Sequence, residues 1–118
     1  MNGLKLIHSE TAIPPQFALQ FPPSADETFV VAMVDLDAPT PQMPTNAQIR
    51  HFLGGNFNFA SPAGSGPVLL TNSTPALSEF RQPTPPAGSD PHRHVLFVLF
   101  VAVNVQLISE IQLCFLAV

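Results

Sequence analysis

Cysteine is nearly absent from this chain of 118 residues, since Cys114 is the single example. One cysteine cannot form a disulfide within the chain, and it excludes the zinc modules that are held by several thiolates. The N-terminal ten residues also lack the apolar core of a signal peptide. These features fit a reducing compartment, and we expect a cytoplasmic protein.

Charged residues are scarce as well, at 10% of the chain, with a formal net charge of −4. The permanent cations are Lys5, Arg50, Arg81 and Arg93. Four scattered positions cannot form the basic patch that binds a phosphodiester backbone. We therefore expect no nucleic-acid partner.

Apolar residues, phenylalanine and proline dominate what is present. Hydrophobic residues make up 46% of the chain, phenylalanine supplies all the aromatic residues with ten copies, and proline contributes fourteen. This combination favours β-strands that are joined by stiff, extended loops, and the length allows one domain at most. No segment has sustained helical periodicity.

Two apolar runs predict the strands at the centre of the fold. Residues 28–35 are apolar at both odd and even positions, which is typical of a strand that is covered on both faces. Residues 95–103 form a second run of the same kind. We predict that 28–35 is the central strand.

A third strand is predicted over 50–59, where the residues alternate. The pair Gly54-Gly55 indicates a bulge or a close backbone approach. A short edge strand is expected at 68–71. The alternation places His51, Leu53, Gly55, Phe57 and Phe59 on one face and Phe52, Gly54, Asn56 and Asn58 on the other.

Two carboxylates lie at the end of the central strand: Asp35 is its last residue, and Asp37 follows two positions later. Ionised groups at the edge of an apolar core need donors or cations as partners. The later candidates are His51 and the run His92-Arg93-His94, which a long proline-rich loop over 81–91 delivers to the second apolar run. Strand alternation predicts that both histidines of this run face the same way and that its arginine faces the other.

The candidate residues lie in two sequence blocks. The first is Asp35-Leu36-Asp37-Ala38-Pro39, running on to Arg50-His51-Phe52-Leu53, and the second is Pro85-Pro86-Ala87-Gly88-Ser89-Asp90-Pro91-His92-Arg93-His94-Val95. Together they resemble the two signature blocks of the phosphatidylethanolamine-binding protein family, which includes Raf kinase inhibitor proteins and fungal carboxypeptidase Y inhibitors. The resemblance runs from about Thr28 to Phe100, and its Ser-Asp-Pro-His-Arg wording is most similar to the fungal branch.

The resemblance implies an all-β, mainly antiparallel fold in which a large sheet packs against a smaller one as a β-sandwich. It also implies a small pocket for phosphate-type anions or phospholipid head groups, with no enzymatic activity and no cofactor. Histidines donate to phosphate oxygens and a carboxylate receives an ammonium group, so a phosphoethanolamine head group suits the pocket. By matching positions, the pocket residues are Asp35, Asp37, Pro39, His51, Pro86, His92 and His94, with Arg93 as a structural residue.

The chain departs from the family pattern in three places. Leu36 stands where the family usually has proline, and His94 stands where it usually has tyrosine, which adds a titratable group to the pocket wall. Residues 101–118 resemble no part of the family. We therefore expect a partial family domain over 1–100, incomplete at its C-terminal end, and an apolar tail over 101–118 that arises from a retained intron, a frameshift or an alternative product.

Three other interpretations are less favoured. Asp-x-Asp with His-x-His supplies possible metal ligands, but the family's pockets work without a catalytic metal, so none is expected. Serines in loops lack the glycines of a nucleophile elbow. A membrane span over Val95–Val118 would bury Glu110 at a cost of about 2.5 to 3.5 kcal/mol, so we expect a buried strand followed by an irregular tail.

Three hypotheses on function remain. The first is a non-enzymatic module that binds a phospholipid head group or another phosphorylated small molecule. The second is an inhibitor or scaffold that docks on a serine carboxypeptidase or a kinase through its surface. The third is a product too incomplete to fold.

Overall fold

A computed structural model describes residues 4–20, 27–59, 66–101 and 111–117 of the chain. The described residues contain seven strands, one short 3-10 turn at His8–Thr11 and no α-helix. The all-β prediction is therefore confirmed. The strands are β1 (Leu4–Lys5), β2 (Ala18–Leu19), β3 (Thr28–Asp35), β4 (Ile49–Phe59), β5 (Val68–Asn72), β6 (Arg93–Val101) and β7 (Ile111–Ala117).

The strands form one seven-stranded sheet in the order β1-β7-β6-β3-β4-β5-β2. β3 lies at its centre, as the apolar run predicts. The pair β1–β7 is parallel and the other described pairs are antiparallel, so the mainly antiparallel architecture is confirmed.

The odd-numbered residues of β3 build the core. Phe29, Val31 and Met33 are buried, while the even-numbered positions between them are half-buried. β3 is thus fully covered on one face and partly on the other, where the sequence predicted full cover on both. The core cluster consists of Phe17, Phe29, Val31, Met33, Phe52, Phe57 and Leu70.

The predicted alternation along β4 is wrong, because bulges change the parity of its side chains. Between Met33 and Val34, β3 advances one residue while β4 advances two, which leaves His51 as the extra residue. A bulge reorients the side chains beside it, and His51 and Phe52 are accordingly both buried. His51 therefore reaches the core side of the sheet together with its neighbour.

A second irregularity confirms the bulge that the glycine pair predicts. Between Phe29 and Val31, β3 advances two residues while β4 advances three. Phe57 consequently joins the same buried cluster as Phe52, although simple alternation placed them on opposite faces. The rings of these two residues pack edge to face with centroids 6.1 Å apart.

Gly54 allows this aromatic packing, because a side chain there has no room. A Cβ at this position would lie 2.7 Å from Phe52 Cζ and 2.9 Å from Phe57 Cε2. We expect Gly54→Ala to lower the free energy of unfolding by about 1 to 2 kcal/mol, measured by urea denaturation. Gly55→Ala is the matched control, since a Cβ at position 55 would lie 4.0 Å from its nearest neighbour, Val30 Cγ2. Equal losses in the two variants would contradict this account.

The remaining strand predictions have mixed outcomes. β5 lies between β4 and β2, so the expectation of an edge strand at 68–71 is wrong. The expectation of an irregular tail is also wrong at β7, which pairs with β6 along seven residues. Residues 102–110 and 118 lie outside the described part of the chain. No helix among the described residues is long and apolar enough to cross a membrane.

Candidate functional site

The core face of the sheet changes from apolar to polar at one end of β3 and β6. Met33 pairs with Leu96 across the two strands, and the next pair on the same face is Asp35 with His94. Residues directly opposite in an antiparallel pair lie on the same face with their side chains in proximity. The strand register therefore brings this carboxylate and this imidazole together at the end of the core.

Asp35 is buried and takes part in two short hydrogen bonds. The amide N–H of Asp37 donates to its Oδ1 at 2.8 Å, and His92 Nδ1 lies 2.8 Å from its Oδ2. His92 Nε2 lies 3.1 Å from the carbonyl oxygen of Pro39 and 3.0 Å from Ser89 Oγ. Both nitrogens of this ring face oxygen atoms, an arrangement that a doubly protonated imidazole satisfies.

Asp37 has no exposed surface, and Arg93 supplies the donors that satisfy it. Arg93 Nη2 donates to Oδ1 at 2.7 Å, while Nε and the backbone N–H donate to Oδ2 at 2.9 and 2.7 Å. The side-chain hydrogen bonds from Arg93 hold the pKa of Asp37 below its ordinary value, and Asp37 raises the pKa of Arg93. The structural role expected for Arg93 follows from this geometry.

His94 is the least satisfied polar side chain of the cluster. Its ring is 1% exposed, and neither Nδ1 nor Nε2 has a hydrogen-bond partner among the described residues. Nε2 lies 3.8 Å from Asp35 Oδ2, beyond hydrogen-bond distance. Burial lowers the pKa of His94, although Asp35 partly opposes this shift.

His51 packs against His94, with ring centroids 5.0 Å apart. Its position is fixed by two hydrogen bonds to one residue: the Arg81 N–H donates to the His51 carbonyl, and His51 Nδ1 lies 2.8 Å from the Arg81 carbonyl oxygen. Since a carbonyl only accepts, Nδ1 carries the proton. Nε2 takes part in none of the hydrogen bonds of the described residues.

The structure brings four of the predicted site residues together: Asp35, His51, His92 and His94. Pro39 contributes its carbonyl oxygen to this cluster. Asp37 lies next to this cluster, but both of its oxygens accept hydrogen bonds from Arg93. Pro86 is exposed, and its carbonyl oxygen accepts a hydrogen bond from the Ser89 N–H in a turn. The sequence predicted that His92 and His94 face the same way and Arg93 the other, and in the structure both histidines are buried while the Arg93 side chain is 65% exposed.

Two contributors were missed by the sequence reasoning. Ser89 contacts His92, and its position three residues before that histidine was the available signal. Arg81 contributes through its backbone carbonyl, which no residue type reveals. A cleft of about 400 Å³ lies elsewhere, bounded by Phe17, Phe57 and Leu70 among others, and none of the predicted site residues lines it.

Comparison with known proteins supports a specific family. The fold is similar to a chain in the crystal structure of carboxypeptidase Y inhibitor complexed with the cognate proteinase, with a TM-score of 0.74 and 23% sequence identity. The match covers 87% of this chain and 54% of that chain, so this chain spans about half the length of that neighbour. The predicted division at residue 100 stays a prediction. A sequence model of the phosphatidylethanolamine-binding protein family matches residues 3–112, and the chain therefore belongs to this family.

Proposed function

We propose that this protein is a non-enzymatic binding module for small phosphorylated groups, taken at the cluster of Asp35, His51, His92 and His94. The observation that carries the proposal is the buried His94 ring, for which the described residues provide no hydrogen-bond partner on either nitrogen. Buried polar groups are nearly always hydrogen-bonded, and a bound ion is one of the explanations for an exception.

The charges around this ring favour an anion. The carboxylate of Asp35 is paired with His92, and that of Asp37 is paired with Arg93. The two neighbouring imidazoles, His51 and His94, have no carboxylate within hydrogen-bond distance. A phosphate group accepts hydrogen bonds from protonated imidazoles, and its charge favours their protonation.

A zwitterionic head group has a second partner in the same cluster. Asp35 Oδ2 lies 3.8 Å from His94 Nε2, so a carboxylate oxygen is close to the atoms that would bind phosphate. Carboxylates accept hydrogen bonds from an ammonium group. We therefore favour phosphoethanolamine over inorganic phosphate as the better ligand.

The test is calorimetric titration with phosphoethanolamine and with inorganic phosphate, in a buffer that contains EDTA. We expect His94→Phe and His51→Phe each to weaken binding of both ligands by at least about tenfold, since a hydrogen bond to a charged group contributes about 1.5 to 3 kcal/mol. Asp35→Ala is expected to remove the preference for phosphoethanolamine. His8→Phe is the matched control, because His8 is exposed and lies outside the cluster. Unchanged affinity in both cluster variants would refute the proposal.

The second candidate function is inhibition of a serine carboxypeptidase through surface contacts. The structural neighbour that was solved with its cognate proteinase supports this candidate. Two large apolar side chains suit such docking, since Ile13 is 79% and Leu77 is 81% exposed. Inhibition of a serine carboxypeptidase that survives His94→Phe and is lost in Leu77→Asp would favour this function. A kinase partner belongs to the same hypothesis and is tested with the same two variants.

A further inference from the structure

We propose that Asp35, His51 and His94 form a binding site for one divalent transition-metal ion, with Zn²⁺ as the best match. One ligand atom from each residue lies within 4.8 Å of the other two, and all three residues are buried. The inference goes beyond the proposed anion binding and does not depend on it.

The donor set fits zinc. Two imidazole nitrogens and one carboxylate oxygen are ligands that Zn²⁺ shares with Fe²⁺, Cu²⁺ and Ni²⁺, whereas Mg²⁺ and Ca²⁺ prefer oxygen atoms throughout. Zinc–ligand bonds of about 2.0 to 2.2 Å place tetrahedral ligand atoms about 3.4 Å apart. The distance of 3.8 Å between His94 Nε2 and Asp35 Oδ2 is close to that value. The other separations lie within 4.8 Å, so metal binding requires these ligand atoms to approach one another by at most about 1.4 Å.

The surrounding hydrogen bonds orient two of the three ligands. Metal-binding histidines usually donate their other ring N–H to a carbonyl or a carboxylate, which fixes the tautomer. His51 Nδ1 does this to the Arg81 carbonyl at 2.8 Å, so the lone pair of Nε2 is available. Asp35 is held in a comparable way by the Asp37 N–H and by His92.

His94 is the third ligand, and its unsatisfied ring also supports the proposed anion binding. A ring that is 1% exposed and without a partner on either nitrogen is unfavourable unless a ligand satisfies it. The ring lies 5.0 Å from that of His51, and Asp35 is its direct partner across the strands. A metal ion among these residues gives His94 Nε2 a partner, since Asp35 Oδ2 lies 3.8 Å away, beyond hydrogen-bond distance.

Three protein ligands leave a fourth position on a tetrahedral ion, which water or an anion occupies. Metal binding is therefore measured in a phosphate-free buffer with the metal alone, after EDTA treatment and dialysis. We expect the full chain to bind Zn²⁺ at a ratio of one to one, to melt at a higher temperature in its presence, and to give the intense visible absorption of tetrahedral Co²⁺.

His94→Phe and His51→Phe are each expected to lower the Zn²⁺ affinity by more than about 100-fold, because loss of an outer hydrogen-bond partner alone lowers it 10- to 100-fold. His8→Phe should bind as the unsubstituted protein does. Binding that survives both cluster substitutions, or that is lost in His8→Phe, would overturn the proposal. If a cluster variant does not fold, the Co²⁺ spectrum of the unsubstituted protein decides, and a weak octahedral spectrum or no binding refutes the site.

Discussion

Replacing Arg93 by methionine is expected to lower the free energy of unfolding at pH 7 by about 2 to 4 kcal/mol, the largest loss among the single substitutions considered. The change leaves the Asp37 carboxylate buried, with only the backbone N–H of residue 93 as a donor from this partner. Breaking a buried ion pair by removing one partner costs about 3 to 5 kcal/mol. The Arg93 side chain is 65% exposed, so solvent screening reduces that value.

The loss should depend on pH in a defined direction. Arg93 depresses the folded-state pKa of Asp37 below its ordinary 3.8, so the stability from this pair is fully present above that value. It disappears as pH falls through the lower pKa of the folded state. The difference between the Arg93→Met variant and the unsubstituted protein is therefore largest at neutral pH and shrinks below about pH 4. Urea denaturation across this range measures it.

Arg50→Met is the matched control for this substitution. Arg50 lies on β4, which β3 separates from the strand of Arg93, is exposed, and forms no ion pair with any of the described residues. We expect a change of less than about 0.5 kcal/mol there. The double variant Asp37→Asn/Arg93→Met should recover part of the loss, because the buried charge is gone. A loss that is the same at pH 3 and pH 7 would contradict the role of the ion pair.

The centre of the sheet could be predicted from the sequence because its signal is local. Residues 29–34 are apolar without interruption, and the structure places them in the central strand β3. Asp35 comes directly after the first apolar run, and His94 comes directly before the second. The structure pairs these two residues across β3 and β6. Strand alternation also separated the side chains of His92 and His94, which are buried, from that of Arg93, which is exposed.

The face of each residue on β4 could not be predicted in the same way. A single extra residue reverses the face of every side chain beyond it, and the position of a bulge depends on how β4 pairs with β3. The glycine pair marked one bulge, but nothing in the local sequence marked the other at His51. The bulge at His51 is the one that matters for the site, since it brings the His51 ring against that of His94.

The roles of the three clustered histidines depend on contacts that residue types do not reveal. The carbonyl oxygen of Pro39 lies within hydrogen-bond distance of His92, which is 53 positions away in the chain. The carbonyl oxygen of Arg81 contacts His51 in the same way across 30 positions. Both nitrogens of His92 therefore lie within hydrogen-bond distance of oxygen atoms, whereas neither nitrogen of His94 has a hydrogen-bond partner in the part of the chain that the structure describes. The sequence named all three as pocket residues, but only the structure separates the ring that lies within hydrogen-bond distance of Asp35 from the ring without a hydrogen-bond partner among the described residues.

His94→Phe is expected to raise the free energy of unfolding by about 2 to 3 kcal/mol in the presence of EDTA, although we expect it to weaken binding of the proposed ligands. Leaving a buried polar group unsatisfied costs about 1 to 3 kcal/mol, and His94 has two such nitrogens. A phenyl ring fills similar space and has no polar atoms to desolvate. Urea denaturation measures the gain, and His8→Phe, at an exposed position, should not reproduce it.

The pH dependence of this gain identifies its cause. Burial depresses the pKa of His94 below its ordinary 6.5, so the unfolded chain takes up a proton at higher pH than the folded protein does. The unsubstituted protein therefore loses stability as pH falls below 6.5, until the pKa of the folded state is reached. The gain from His94→Phe should grow over the same interval. A variant that is less stable than the unsubstituted protein would mean that the ring nitrogens are satisfied in solution, and that the site is built for stability rather than for a ligand.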